Sequence, residues 1–529
     1  MSVGRVLIIG SHPVLDDVVR QFRLAGREVT IAAEDRCDGT VGAQDYDELV
    51  ILSRCGGDAV CEDNRALGLL AALASQRDPD GGERPVAHLL LQSGTTLRML
   101  QDMDFPPAIN DAFEVSPFTM EDVWAQNIFV RLPGAETGIY PSLDREPVTS
   151  DSPKFVHLVI GGFDAQARAA AVHAALVAHY PNYDGADDVP LRTRITVIEK
   201  DITAARDAFV AAYQPLFDHS FYRTVYPAAR RTELHKPVYD GRRTDFVDVE
   251  WEFVDAATEH AEVRRKIAAW ACDAGRLLTM VVSHESDERN LAEAMSLPAE
   301  VFEHDIPVFV RQVHAGLAGM AARSVRGRSI RPFGMKDCGY DVTRPLTQMA
   351  KLLKYFYDCS YGDRGVPTEL PRREVEAAWR SERSFTMRFS NLCNVMTIRS
   401  KMHSLGRAES DDATFYALTR DEIETLARTE HNRWSVERLI TGSRPCTDAE
   451  RDEIGRNIAD IVAARKEGRP LPADLKRMYK RERNVHYDLC AYDELGPDAT
   501  GKNVKTYDYD LTACIPLIVK SYLDNKRNG

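Results

Sequence analysis

Residues 5–34 read RVLIIGSHPVLDDVVRQFRLAGREVTIAAE, and this stretch decides the fold. Val6-Leu7-Ile8-Ile9 is a short apolar run closed by Gly10, as in a parallel strand buried on both faces. Val14, Leu15, Val18, Val19 and Phe22 then recur at helical spacing, and Gly26 stands where a helix cap is expected. Val29-Thr30-Ile31-Ala32 is a second strand that ends in Glu34. Strand, helix and strand in this order form a βαβ unit, which predicts a doubly wound sheet. Further strands fit 49–52 and 88–91, with a helix over 64–74 between them.

Working outward, the same order returns. Residues 156–160 run into Gly161, and an alanine-rich helix follows through Val177. Residues 194–198 end in Glu199, 277–282 precede a helix beginning near Asn290, and 308–310 form a further strand. Asp63-Asn64 matches Arg289-Asn290, and 113–118 matches 329–333. The pattern is an internal duplication of about 150–190 residues per copy. The fold class is therefore α/β. Two tandem doubly wound, parallel-sheet Rossmann-like domains (1–150 and 151–340) precede a mainly helical connector (341–412) and a C-terminal domain (413–529). Within the connector, 349–357, 375–379 and 388–405 have helical patterns.

The 529 residues carry a net charge of −14, which argues against general binding to nucleic acid or an anionic membrane surface. No apolar run approaches the eighteen or so residues of a membrane span, so direct membrane insertion is not expected. The first residues enter a strand pattern directly, without the regions of a signal peptide. Ten cysteines with no C-x-x-C pair read as reduced thiols of a cytoplasmic protein. No H-E-x-x-H, G-x-S-x-G or Walker A pattern occurs, so no metal is expected and hydrolase or NTPase chemistry lacks support.

Each strand-to-helix turn is a candidate phosphate site. The first offers Gly10, Ser11 and His12, with Glu34 placed for a ribose hydroxyl. The second offers Gly161, Gly162 and Phe163, with Glu199 in the acidic position. Neither completes G-x-G-x-x-G, and Asp164 beside the second turn would repel a pyrophosphate. NAD(P) or an adenine nucleotide is the cofactor such turns would take. The acid-ended second strand and the helix opened by Asp/Asn after a later strand resemble the TrkA-N or RCK domain. That resemblance covers residues 1 to about 330. It implies nucleotide-dependent regulation of potassium transport, with the two copies acting as a pair and a membrane transporter or other protein as partner.

A sharper resemblance lies further on. Glu430-His431-Asn432-Arg433-Trp434 leads through Arg438 to Gly442. His486-Tyr487-Asp488-Leu489 precedes Tyr492 and Leu495, and Lys505-Thr506-Tyr507-Asp508 precedes an apolar helix. Residues 415–522 resemble the RyR domain, the module repeated in ryanodine receptors and found in bacterial proteins. Ser443 and Ala491 stand where the family has Trp and Pro, and the insertion between Gly442 and His486 is long.

Read from the residues alone, Ala427, His431, Trp434 and Arg438 share one face of a helix that Thr419 and Glu422 open with a capping box. An inward His, Trp and Arg need polar partners. Asp508 or Glu494 could supply them, and a ligand is the other source. With His486, Tyr492 and Lys505 they suit a planar ring bearing an anionic group. The basic run Lys476, Arg477, Lys480, Arg481 and Arg483 reads as a solvated helix face.

The expected function is a ligand-sensing regulatory protein, with a nucleotide or nucleotide-derived small molecule as ligand. The resemblances link it to ion transport or phage-defence signalling, and a homo-oligomer is compatible. An NAD(P)-dependent oxidoreductase and an interaction scaffold with inactive nucleotide sites are the alternatives. No catalytic residue can be named.

Overall fold

The computed structural model describes residues 4–33, 46–77, 84–103, 105–133, 140–237, 244–313, 326–334, 339–362, 367, 370–407 and 417–528. Strands β1 (Arg5–Gly10), β2 (Glu28–Ala32), β3 (Glu48–Leu52), β4 (Val86–Leu91) and β5 (Glu114–Thr119) form one sheet in the order β2-β1-β3-β4-β5. All its pairings are parallel. Val6, Leu7, Ile8 and Ile9 are fully buried, because helices cover both faces of such a sheet.

Strands β6 (Phe155–Gly161), β7 (Thr193–Glu199), β8 (Tyr222–Tyr226), β9 (Arg231–His235), β10 (Val249–Asp255), β11 (Arg276–Val282), β12 (Val308–Arg311) and β13 (Ile330–Phe333) form the second sheet. Its order is β13-β12-β11-β6-β7-β10-β8-β9. From β10 to β13 this is the Rossmann order 3-2-1-4-5-6. The β8–β9 hairpin is antiparallel and extends the β10 edge. The first sheet repeats the order without a strand beyond β2. The duplication is thus topological, and β8 to β10 are elements that the sequence reading did not place.

The duplicated helix match shifts by one residue. Asp63 lies within the helix Ala59–Ser75 and accepts from the Gln92 and Ser93 backbone N–H groups at 2.7 and 3.0 Å. Asn290, in the helix Asp287–Ser296, accepts from the His284 N–H and donates to the Arg311 carbonyl. Asp63 therefore corresponds to Asn290, each tying a helix to the loop after the next strand.

The connector holds helices Pro345–Tyr361, Arg372–Ser381, Phe385–Met396 and Ile398–His403. The expected single helix over 388–405 breaks at Thr397, whose hydroxyl donates to the Asn394 carbonyl at 2.7 Å. The connector is anchored on the first sheet. Arg344 pairs with Glu114 at 2.9 Å and Phe385 joins that domain's core, and Tyr340, just before the connector, stacks on Phe118 with centroids 3.9 Å apart. Beyond it lie helices Arg420–Ile440, Asp448–Glu467, Leu475–Arg483, Lys505–Ala513 and Ile515–Asn528. Among the described residues, no helix is long and apolar enough to cross a membrane.

Candidate ligand cavity

The helix Arg420–Ile440 has the expected capping box, with Thr419 accepting from the Glu422 N–H and Glu422 reaching back. Its inward face borders a cavity of about 700 Å³. His431, Trp434 and Arg438 line it, together with His486 and Asp508 from the later segments. Five of the seven residues expected in the C-terminal pocket therefore converge. Trp434 stacks on His431 with centroids 5.5 Å apart and meets His486 edge-on at 4.8 Å.

His431 is held from both ring nitrogens. Its Nε2 donates to the Cys490 carbonyl at 2.9 Å, and its Nδ1 lies 3.2 Å from Asp508 Oδ2. Because Nε2 must carry a proton, the contact with Asp508 needs a second proton on one partner. Burial opposes charge on His431, but the bond and charge of Asp508 outweigh it and raise its pKa. Burial also raises the Asp508 carboxyl, against the pull of His431. The pair is a buried, proton-sharing wall of the cavity.

The connector contributes to the lining as well. Tyr357 and Tyr361 stand one turn apart on helix Pro345–Tyr361 and stack with centroids 6.3 Å apart. Tyr507 completes a triad, 6.0 Å from each. Tyr507 belongs to the motif Lys505–Asp508, whereas neither Tyr357 nor Tyr361 was singled out in the sequence, although tyrosines at i and i+4 on one helix were a legible signal.

Cations dominate one region of the wall. Arg438 is 4% exposed, its guanidinium lies 5.9 Å from the Trp434 ring, its Nη2 pairs with Glu437 at 3.0 Å, and its Nε has no hydrogen-bond partner. Lys476 pairs with Asp488 at 2.8 Å, and Arg477 donates to the Tyr361 hydroxyl at 2.8 Å. Lys480 lines the cavity at an exposed position and makes no ion pair among the described residues. Desolvation and the charges of Arg438 and Lys476 hold its amine down to about 8, against the pull of Asp488. Burial, then Lys480, Arg438 and Lys476, push His486 well below the usual imidazole range. These positive charges raise one another's energy, and an anion would relieve them.

Four of the five cations in the basic run are exposed, as a solvated face requires, and Lys476 is half-buried. The insertion between Gly442 and His486 folds into helices Asp448–Glu467 and Leu475–Arg483, and the second lays Lys476, Arg477 and Lys480 over the cavity. Arg481 and Arg483 instead pair with the acids Glu482 and Glu450.

Two expectations are corrected. Tyr492 and Lys505 do not line the cavity. The short 3-10 turn Tyr492–Glu494 packs Tyr492 against Ala427 and Leu495, in a separate apolar cluster. Lys505 lies 4.7 Å over that ring and pairs with Asp493.

Glu430 and Arg433, in the same helix, form the floor. Arg433 Nε and Nη2 donate to Glu430, its Nη1 donates to Glu437 at 2.8 Å, and Lys401 lies 2.8 Å from Glu430. All four are nearly fully buried. Burial raises the Glu430 carboxyl, but Arg433 and Lys401 outweigh it and bring it to about 2.

The two glycine turns are differently filled. Gly10 has φ 107°, and a Cβ there would run into the Leu52 carbonyl, so the turn needs glycine for its own closure. Ser11 is exposed, and His12 Nε2 lies 2.8 Å from Cys55 Sγ. Glu34 lies outside the described residues. In the second domain Gly162 has φ 102°, and a Cβ would meet the Ser283 carbonyl. Phe163 points into the core against Phe209 and Phe253, which removes it from any ligand site. Asp164 accepts from the Ala167 N–H at 2.8 Å, taking the helix-terminal position a phosphate would use. His284 bridges Glu293 at 2.7 Å and Glu199 at 3.3 Å. Burial opposes its charge, but those two carboxylates raise its pKa to about 9. Glu199 is thus engaged by His284 and Arg289 rather than open to a ribose.

Comparison with models of protein families, with curated proteins and with solved structures finds no match.

Proposed function

We propose that the chain is a cytoplasmic ligand-sensing regulatory protein whose cavity takes a nucleotide or nucleotide-derived metabolite. One observation carries this reading: Arg438, buried and paired through Nη2 with Glu437 at 3.0 Å but with a partnerless Nε, sits beside an indole and Lys480, which makes no ion pair among the described residues, in a cavity of about 700 Å³. A buried donor left without a partner is costly, and a planar ring with an anionic group would supply both stacking and charge. The RyR-type resemblance supports the same site. A hydride-transfer enzyme is less favoured, because Asp164 and Glu293 crowd the second glycine turn.

Titration calorimetry with ADP, adenosine and pyrophosphate tests the reading. ADP is expected to bind more tightly than either fragment, and Arg438→Met is expected to weaken it at least about tenfold. ADP affinity unchanged in Arg438→Met and Trp434→Leu, or no ADP heat at all, would contradict it.

A further inference from the structure

The cavity has two aromatic stations, not one. Trp434 with His431 and His486 forms the first, on segments of the C-terminal domain. Tyr357, Tyr361 and Tyr507 form the second, largely on the connector. Both groups line the same space, and among the described residues no ring contact joins them. Arg438 relates to both. Its guanidinium lies against the Trp434 ring, and its charge acts on the Tyr357 hydroxyl. Lys476 and Lys480 border the same volume. At about 700 Å³ the cavity lies in the upper half of the range of about 300–1,000 Å³ for small-molecule sites. A single nucleotide would use one station and leave the other to water.

Building on the nucleotide reading above, we propose that the ligand is a dinucleotide: two planar rings joined through phosphate, one ring at Trp434, the other at the tyrosine triad, with the phosphates at Arg438 and Lys480. Joining two stacking groups makes the second contact intramolecular, so affinity rises far beyond that of either half. Aromatic stacking tolerates any base, so the site selects the number of rings before their identity.

Calorimetry on the full chain decides the matter, with AMP and the linear dinucleotide 5′-pApA as probes. The dinucleotide is expected to bind one to one, at least about a hundredfold more tightly than AMP. AMP is expected to fill two sites. Trp434→Leu and, separately, Tyr357→Leu should each lower pApA affinity about tenfold to a hundredfold and remove one AMP site. Far-ultraviolet circular dichroism verifies that each variant is folded, and Tyr507→Leu repeats the second test from another helix. One-to-one AMP binding with the affinity of pApA overturns the two-station proposal and leaves the cavity a nucleotide site. Binding of neither probe overturns both.

Discussion

Arg433 and Arg438 stand five positions apart on one helix and share the buried Glu437, but only Arg433 also holds Glu430. Arg433 is enclosed by Glu430 and Glu437, so removing it strands buried carboxylates. Arg433→Met is expected to cost about 3–5 kcal/mol in a urea-unfolding experiment. Arg438 pairs with Glu437 at 3.0 Å but has an orphaned Nε, and Glu437 keeps Arg433 as a partner when Arg438 is lost. Arg438→Met should therefore lower the unfolding midpoint less than Arg433→Met does, while ligand affinity falls. Lys480 adds a pH signature. With an amine held down to about 8, the free protein loses this charge as pH rises through that value. Binding of a phosphate restores the proton, so calorimetry near pH 8 in buffers of different ionisation enthalpy should show proton uptake. Lys480→Arg stays charged and should abolish the uptake while retaining affinity. The motif histidine, tryptophan and arginine were legible because their spacing puts them on one face. Tyr492 misled because a 3-10 turn, invisible to periodicity, packs it with Ala427 and Leu495, and Lys505, at the start of the helix Lys505–Ala513, turns to Asp493 and the Tyr492 ring instead.

At the scale of elements, the helix Leu475–Arg483 shows that a solvated face can also border a cavity. Four of its five cations are exposed, and Lys476 and Lys480, which share one side at i and i+4, line the cavity. Where strands were buried runs, the sequence was transparent: β1 to β4 and β6, β7, β11 and β12 follow directly from apolar blocks. The hairpin β8–β9 was not, because β9 is largely exposed at a sheet edge and carries no such run. The turn after β11 supplies its own test. The His284 pKa rises from 6.5 to about 9 between Glu199 and Glu293. Its contribution to stability is therefore complete below pH 6.5 and fades as pH climbs through about 9. His284→Gln should flatten that part of the stability–pH curve, measured by chemical denaturation. An unchanged slope would show that the bridge contributes nothing.

For the whole molecule, the duplication creates two sheets and leaves neither glycine turn as the evident ligand site. The cavity instead forms where the connector, anchored on the first domain, meets the C-terminal domain. The recurring strand–helix pattern suggested how to divide the chain, but a site shared between distant segments depends on packing that no local pattern encodes. Phe385 joins the connector to the first domain's core, against Phe105 with centroids 6.1 Å apart. Phe385→Ala is expected to destabilise the chain by about 3–5 kcal/mol. It should also weaken ligand binding from outside the cavity, because helix Phe385–Met396 supplies Ser390 and Asn394 to the wall.

Photolabelling of the full chain with 8-azido-ADP, followed by peptide mapping, separates the cavity from the glycine turns. Label on peptides containing Tyr357, Trp434 or Lys480, displaced by excess ADP and lost in Arg438→Met, is the expected result. Displaceable label confined to residues 10–14 or 161–165, and undiminished in Arg438→Met, would contradict a ligand site in the cavity.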